Sequence, residues 1–217
     1  MGTPAARVGD PIAHSNAMTG LLVGAALGAA LAVATVATGG LAAVAAGALI
    51  AGGVAGGALA GEYIGAASMG PPTGAVSLGS PNVFINHQPA AMATLAQGVC
   101  AKESGAPQPV AMGAATVYIN GQPAAREGDK LVCSAVILKG SHNVFVDDAT
   151  QVTLAIEPEV PVWLETTLQV VAIGAAVVGF GAAIAAVGVG MATAGLAGGL
   201  VGGVFGGRAG RALGEAL

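Results

Sequence analysis

Polar positions gather in the middle of this 217-residue chain, between two long stretches that carry no charged side chain. Residues 11–61 contain no Asp, Glu, Lys or Arg, and neither do residues 166–207. In the first stretch Gly20, Gly24 and Gly28 recur every fourth residue, as do Gly53, Gly57, Gly61 and Gly65, on a background of Ala, Leu and Val. Glycine at that spacing lines one helix face and lets two backbones approach, as in small-residue packing between membrane helices. The pattern predicts helices near Ala17 to Thr38 and Leu41 to Gly61, turning at Gly39-Gly40. In the second stretch Gly198, Gly202, Gly206, Gly210 and Gly214 form another stripe. Trp163, an interfacial type of residue, precedes it, and Arg208 and Arg211 are the only nearby positive charges.

A helical bilayer span takes roughly 20 apolar residues, and each charge-free stretch is about twice as long. Each therefore predicts a transmembrane-type helical hairpin of the glycine-zipper kind, with a buried soluble hairpin or a low-complexity linker as the alternatives. Interior glycine costs about 1 kcal/mol of helix relative to alanine, so such spans are weak and adaptable. Neither stretch has the basic start, short apolar core and cleavage site of a signal peptide, and the chain is expected to begin in the cytoplasm.

Between the apolar stretches the chain shows an internal repeat. Gly79-Ser80-Pro81-Asn82-Val83-Phe84-Ile85-Asn86 runs into His87-Gln88-Pro89-Ala90-Ala91, and residues 113–120 (GAATVYIN) run into Gly121-Gln122-Pro123-Ala124-Ala125. A third copy starts at Gly140-Ser141-His142-Asn143-Val144-Phe145-Val146 and breaks off after Asp147-Asp148. Short β-branched and aromatic runs closed by turns, with Asn120-Gly121 a strong hairpin signal, predict an all-β zone. The expected divisions are 1–16, 17–66 (first apolar helical region), 67–160 (the β zone) and 161–217 (second apolar helical region).

Composition narrows the chemistry. The chain is 54% hydrophobic and 8% charged with a net charge of -4, and its few Lys and Arg are scattered, so it lacks the basic footprint of a nucleic-acid binder. Two cysteines and three histidines remain to be explained. Residues 4–15, PAARVGDPIAHS, and 123–134, PAAREGDKLVCS, share their spacing, and this sets His14 where Cys133 falls. If each strand leads from Gly-Ser to the Asn turn and each Pro-Ala-Ala segment leads back, the loops ending in Cys100 and Cys133 share one end of the β unit. His14 belongs there too, His142 begins a strand there, and His87 sits in a turn at the opposite end. A closed structural zinc takes four N or S ligands. His14, Cys100 and Cys133 are the leading ligands, with His142 favoured over Glu103 as the fourth. Solvated histidines and a disulfide or buried thiols are the competing explanations. No Ser/His/Asp set, carboxylate pair or phosphate-cradling loop accompanies these residues, and a fully ligated zinc leaves no open position for catalysis. The chain is therefore not expected to be an enzyme.

The Gly-Ser-Pro, Val-Phe-Ile-Asn and Pro-Ala-Ala-Arg-x-Gly-Asp elements between Gly79 and Asp147 resemble the PAAR-repeat domain, the conical tip on the VgrG spike of the type VI secretion system. Ala5-Ala6-Arg7, Asp10 and His14 resemble the prePAAR motif of effectors that combine this domain with transmembrane segments. Two departures stand out: Met92 replaces an Arg, and Glu103 stands where related sequences often have His, which leaves the fourth ligand open. The resemblance implies a mixed architecture in which a zinc-tipped β-cone is flanked by apolar helices. It also implies a VgrG partner and an Eag-type chaperone that covers the helices before secretion, followed by insertion into the recipient's inner membrane to deliver a C-terminal toxin. The covering is expected on physical grounds as well, since soluble proteins rarely expose apolar patches beyond a few hundred Å². A chain stopping soon after the last glycine stripe then reads as the N-terminal part of such an effector. The alternatives are a self-contained pore-forming toxin and, more remotely, a metal-dependent enzyme.

Overall fold

The computed structural model describes residues 2–39 and 43–187, with side-chain surroundings given except at 34–49 and 179–187. The predicted Gly39-Gly40 turn in part, the stripe from Gly198 to Gly214, Arg208, Arg211 and any fourth apolar helix lie outside the described residues. Two compact units emerge: Met1–Ser15 with Met69–Glu159, and Asn16–Ser68 with the chain from Val160 onward.

The first unit is a β structure with a single 3-10 turn, Ala101–Glu103. Its largest sheet has five antiparallel strands in the spatial order Val136–Ile137, Pro11–Ala13, Gly74–Leu78, Gln97–Cys100 and Pro107–Pro109. The first-unit segment from before the apolar helices thus lies inside the sheet, between strands that follow those helices in sequence. Its apolar side packs Ile12, Val76, Val110, Leu131 and Ile137 with a set of alanines and both cysteines. Small side chains allow close approach: a Cβ on Gly74 would lie 1.9 Å from the Val99 carbonyl oxygen.

Next to this sheet the sequence repeat closes into a ring. Phe84–Ile85 pairs with Gln88–Pro89, and Tyr118–Ile119 pairs with Gln122–Pro123. The third copy, Phe145–Val146, finds its returning strand at the other end of the chain, in Thr3–Pro4. What reads in sequence as a broken repeat and an orphan Pro-Ala-Ala segment is one hairpin assembled from both. The Ala6 amide donates to the Ala125 carbonyl, the Ala125 amide to Ala91, and the Ala91 amide to Ala6, a three-membered cycle of backbone hydrogen bonds. The turn residues form a second cycle. Asn120 reaches Ser80 and Asn82, Asn86 reaches Ser141 and Asn143, and Asp147 accepts from the amide and hydroxyl of Thr116. Each copy therefore grips another, and the ring has pseudo-threefold order.

Two of the three Pro-Ala-Ala segments end in the same Arg-x-Gly-Asp turn. The Asp10 carboxylate accepts from the Arg7 amide at 2.7 Å and from its guanidinium, while Gly9 takes φ 90°. Asp129, Arg126 and Gly128, at φ 88°, repeat that geometry. In the middle copy Met92 is buried, and Thr94 takes the left-handed conformation that glycine holds in the others, at φ 69°. A β-branched residue there is a backbone outlier, and sequence alone gave no sign of it.

In the second unit, α1 (Ala17–Gly39) and α2 (Ala43–Ala66) form the predicted hairpin, and α3 (Val162–Val187) packs against α2 near Gly52 and Ala175. The glycine stripes face each other: a Cβ at Gly20, Gly24 or Gly28 would lie 2.0, 2.0 or 1.9 Å from the carbonyl oxygens of Gly61, Gly57 and Gly53. Among the described residues, no helix is long and apolar enough to cross a membrane, so the expectation of transmembrane hairpins is corrected to one of apolar helical packing. These helices are built largely from Ala and Gly, whereas Leu, Ile, Phe and Val are the residues that favour insertion.

Candidate metal centre

Three strand ends meet at one end of the five-stranded sheet. Ala13 pairs with Val136, and Gly74 pairs with both Ile12 and Cys100. That register brings His14, just past one strand, beside the turn holding Cys133 and beside Cys100 at the end of another. The 3-10 turn that starts after Cys100 then carries Glu103 over the same end. One donor atom each from His14, Glu103 and Cys133 lies within 4.8 Å of the other two.

His14 carries the chemical argument. It is 4% exposed, and its Nδ1 lies 3.1 Å from Oε1 of Glu159. A carboxylate only accepts, so the proton belongs on Nδ1 and Nε2 presents a lone pair. Nε2 is buried without a hydrogen-bond partner. Leaving such an atom unsatisfied costs about 1–3 kcal/mol, and a cation among these donors removes that cost. Burial pushes the Cys133 thiol above its ordinary value; the Ala135 amide pulls it back in part, and the nearby Glu103 pushes it further up. A cation among these donors would oppose that push and favour the thiolate, the form that ligates metal. Imidazole, thiolate and carboxylate together form a donor set that suits zinc.

Cys100 is fully buried, and its sulfur lies 3.1 Å from the Thr73 hydroxyl. Neither cysteine is in a disulfide. Cys100 is not in the close three-residue group, but its pairing with Gly74 sets its sulfur at the same end of the sheet. Of the two fourth-donor candidates, Glu103 is brought to the site and His142 is not. His142 is exposed beside Ser141, whose hydroxyl reaches Asn86 of the first hairpin turn. The sequence argument placed Gly-Ser and the Asn turns at opposite ends, but the paired strands here are two residues long. Gly-Ser of one copy consequently lies against the Asn turn of another. His87 is in a turn, as expected, at φ 65°.

Sequence reasoning passed over Glu159, which stands near the end of the β zone just before the second apolar region. Its carboxylate also accepts from the Ser15 amide at 2.8 Å and from the Ser15 hydroxyl. Glu157 binds the cysteine turn through its backbone, with its amide donating to Val132 and its carbonyl accepting from the Ser134 hydroxyl.

A threefold ring of hairpins set on a small sheet, with a His/Cys/Glu cluster at one end of that sheet, fits a small β-cone with a candidate metal site. Residues 70–139 match the PAAR motif, and residues 1–58 match the class I prePAAR effector Rhs1 motif. The chain thus carries a PAAR motif together with a prePAAR motif. It is similar to double-stranded DNA deaminase toxin A of Burkholderia cenocepacia strain H111, at 41% identity over 75% of this chain and 12% of that protein. It is also similar to the NAD(+)–protein-arginine ADP-ribosyltransferase Tre1 of Serratia proteamaculans strain 568, at 50% identity over 45% of this chain and 22% of that protein. The chain spans less than a quarter of either relative.

Proposed function

We propose that this chain is the spike-tip and delivery module of a type VI secretion effector, and that a structural zinc at His14, Cys133 and Glu103, with Cys100 as the remaining sulfur donor, pins its tip. The observation that carries this reading is the pseudo-threefold ring completed by Thr3–Pro4, because a threefold face suits a trimeric VgrG spike. Phe84, Tyr118 and Phe145 occupy equivalent places in the three hairpins, and all are more than half exposed. They offer that trimer three matching apolar contacts. The zinc supplies no reaction; it ties the turn after Pro11–Ala13 to the cysteine turn and the 3-10 turn.

The apolar helices support the chaperone part of the proposal. Leu22, Val23, Leu27, Leu31 and Ile64 are exposed, and an apolar groove of about 530 Å³ follows Gly20, Gly24 and Gly28 along the hairpin. An Eag-type chaperone would cover this face in the producing cell, and the recipient's inner membrane would meet it after delivery. One relative is named as a deaminase toxin and the other as an ADP-ribosyltransferase, and this chain spans less than a quarter of each, which supports delivery of a C-terminal toxin over a self-contained pore former.

Co-expression with VgrG and the chaperone tests the docking. The full chain is expected to co-sediment with the VgrG trimer, and the triple substitution Phe84→Ala, Tyr118→Ala, Phe145→Ala is expected to release it while the chaperone stays bound. A wild-type chain that never associates with VgrG would contradict the proposal.

A further inference from the structure

We propose that Glu159 is the positioning residue of the metal centre, fixing the tautomer and ring orientation of His14 so that Nε2 is held ready for the cation. This inference rests on the zinc reading above. Its basis is a contact across 145 positions of sequence, Glu159 Oε1 to His14 Nδ1 at 3.1 Å. The carboxylate is itself held, because the Ser15 amide donates to Oε1 at 2.8 Å and the Ser15 hydroxyl donates to Oε2. Three donors on two oxygens leave the carboxylate little freedom, and the histidine ring inherits that restriction. The side chains of His14 and Glu159 are only 4% and 14% exposed, so water competes weakly for the contact. The opposite ring nitrogen is the one buried without a partner, which is the arrangement expected when one nitrogen is oriented by a carboxylate and the other faces a metal.

The consequence is a metal centre assembled from both ends of the unit. His14 lies one residue before the end of its N-terminal segment, and Glu159, which fixes His14, is its last residue. The ligand is therefore set in its productive orientation only when the chain beyond Cys133 has returned to it.

The test is zinc affinity by competition with a chromophoric chelator, together with the visible spectrum of the cobalt-substituted full chain, for three variants. Loss of a partner that orients a metal-ligating histidine typically costs about 10–100-fold in metal affinity, and Glu159→Ala is expected to fall in that range with an altered cobalt spectrum. Glu159→Gln keeps an acceptor for Nδ1–H and is expected to restore most of the affinity and the wild-type cobalt bands. Glu159→Asp keeps the charge but withdraws it by one methylene, and is expected to behave like Ala; it also serves should the Ala variant fail to fold. Wild-type affinity in the Ala or Asp variant, or a Gln variant no better than Ala, overturns the positioning role and leaves the centre standing. A wild-type chain that takes up neither zinc nor cobalt overturns the centre itself and this inference with it.

Discussion

His14→Ala is expected to strip the chain of zinc, from about one ion to nearly none after dialysis against a chelator. It is also expected to lower the melting temperature of the β unit more than any single packing change. Structural zinc contributes roughly 10–16 kcal/mol in small zinc-finger domains, where the site forms only on folding. The same coupling applies here because the donors come from three separate turns: His14 after Pro11–Ala13, Glu103 in the 3-10 turn, and Cys133 before Val136–Ile137. Substitution also frees Glu159, leaving a carboxylate with only Ser15 as its partner in that cluster. Calorimetry with and without added zinc checks the claim. The wild-type melting temperature should rise with zinc and that of the variant should not. Equal zinc dependence in both would remove His14 from the centre.

The second large effect is expected at the other motif residue. Arg126 and Asp129 are each 3% exposed, and the guanidinium also donates to the carbonyls of Asp147 and Ala149 and to the Thr150 hydroxyl. Removing one member of a buried ion pair typically costs about 3–5 kcal/mol, since the other charge is left uncompensated. Arg126→Ala should lose stability on that scale in urea unfolding. Arg7→Ala should lose less, because Arg7 is 17% exposed and water can take over part of its role. Burial already pushes Asp129 above the ordinary carboxylate range, and Arg126 offsets this only in part. A carboxyl with a raised folded pKa binds more protons folded than unfolded, so its contribution to stability declines as pH rises. Without Arg126 that penalty grows, and the variant's deficit should be largest near neutral pH and shrink as Asp129 protonates in acid. The double change Arg126→Met, Asp129→Leu imitates Met92 and Leu95 of the middle copy, and should recover part of the loss because Asp129 is no longer left as an unpaired buried charge. A double variant less stable than Arg126→Ala would contradict this account of the pair.

The donor residues of the candidate centre stand out in sequence because the repeat sets His14 against Cys133 without any assumption about metal. Their convergence follows from strand register, and the sheet pairing of Pro11–Ala13 with Val136–Ile137 reproduces it. Glycine periodicity was equally legible, since a period of four has one physical use, close helix approach, and α1 and α2 make it. It did not reveal whether such helices cross a bilayer, because stripe spacing reports backbone contact and not apolar bulk.

What sequence could not show involves partners far apart in the chain. The third hairpin looked broken because its second strand, Thr3–Pro4, precedes its first by well over a hundred residues. Glu159 drew no notice because its partner His14 is 145 positions away. His142 was assigned to the wrong end because strand length was not known, and with strands of two residues both ends of a hairpin fall near the same layer. Local chemistry is visible locally, whereas closure of a ring across the chain ends becomes visible only once the pairing is known.

The account rests on a metal held by nitrogen and sulfur at the end of the sheet where His14, Glu103 and Cys133 meet. X-ray absorption at the zinc edge of the full chain, purified with its chaperone, tests this most directly. The account predicts bound zinc with a mixed coordination shell, including sulfur at about 2.3 Å and lighter donors at about 2.0–2.2 Å. Absence of zinc, or a shell of light donors without sulfur, would contradict it.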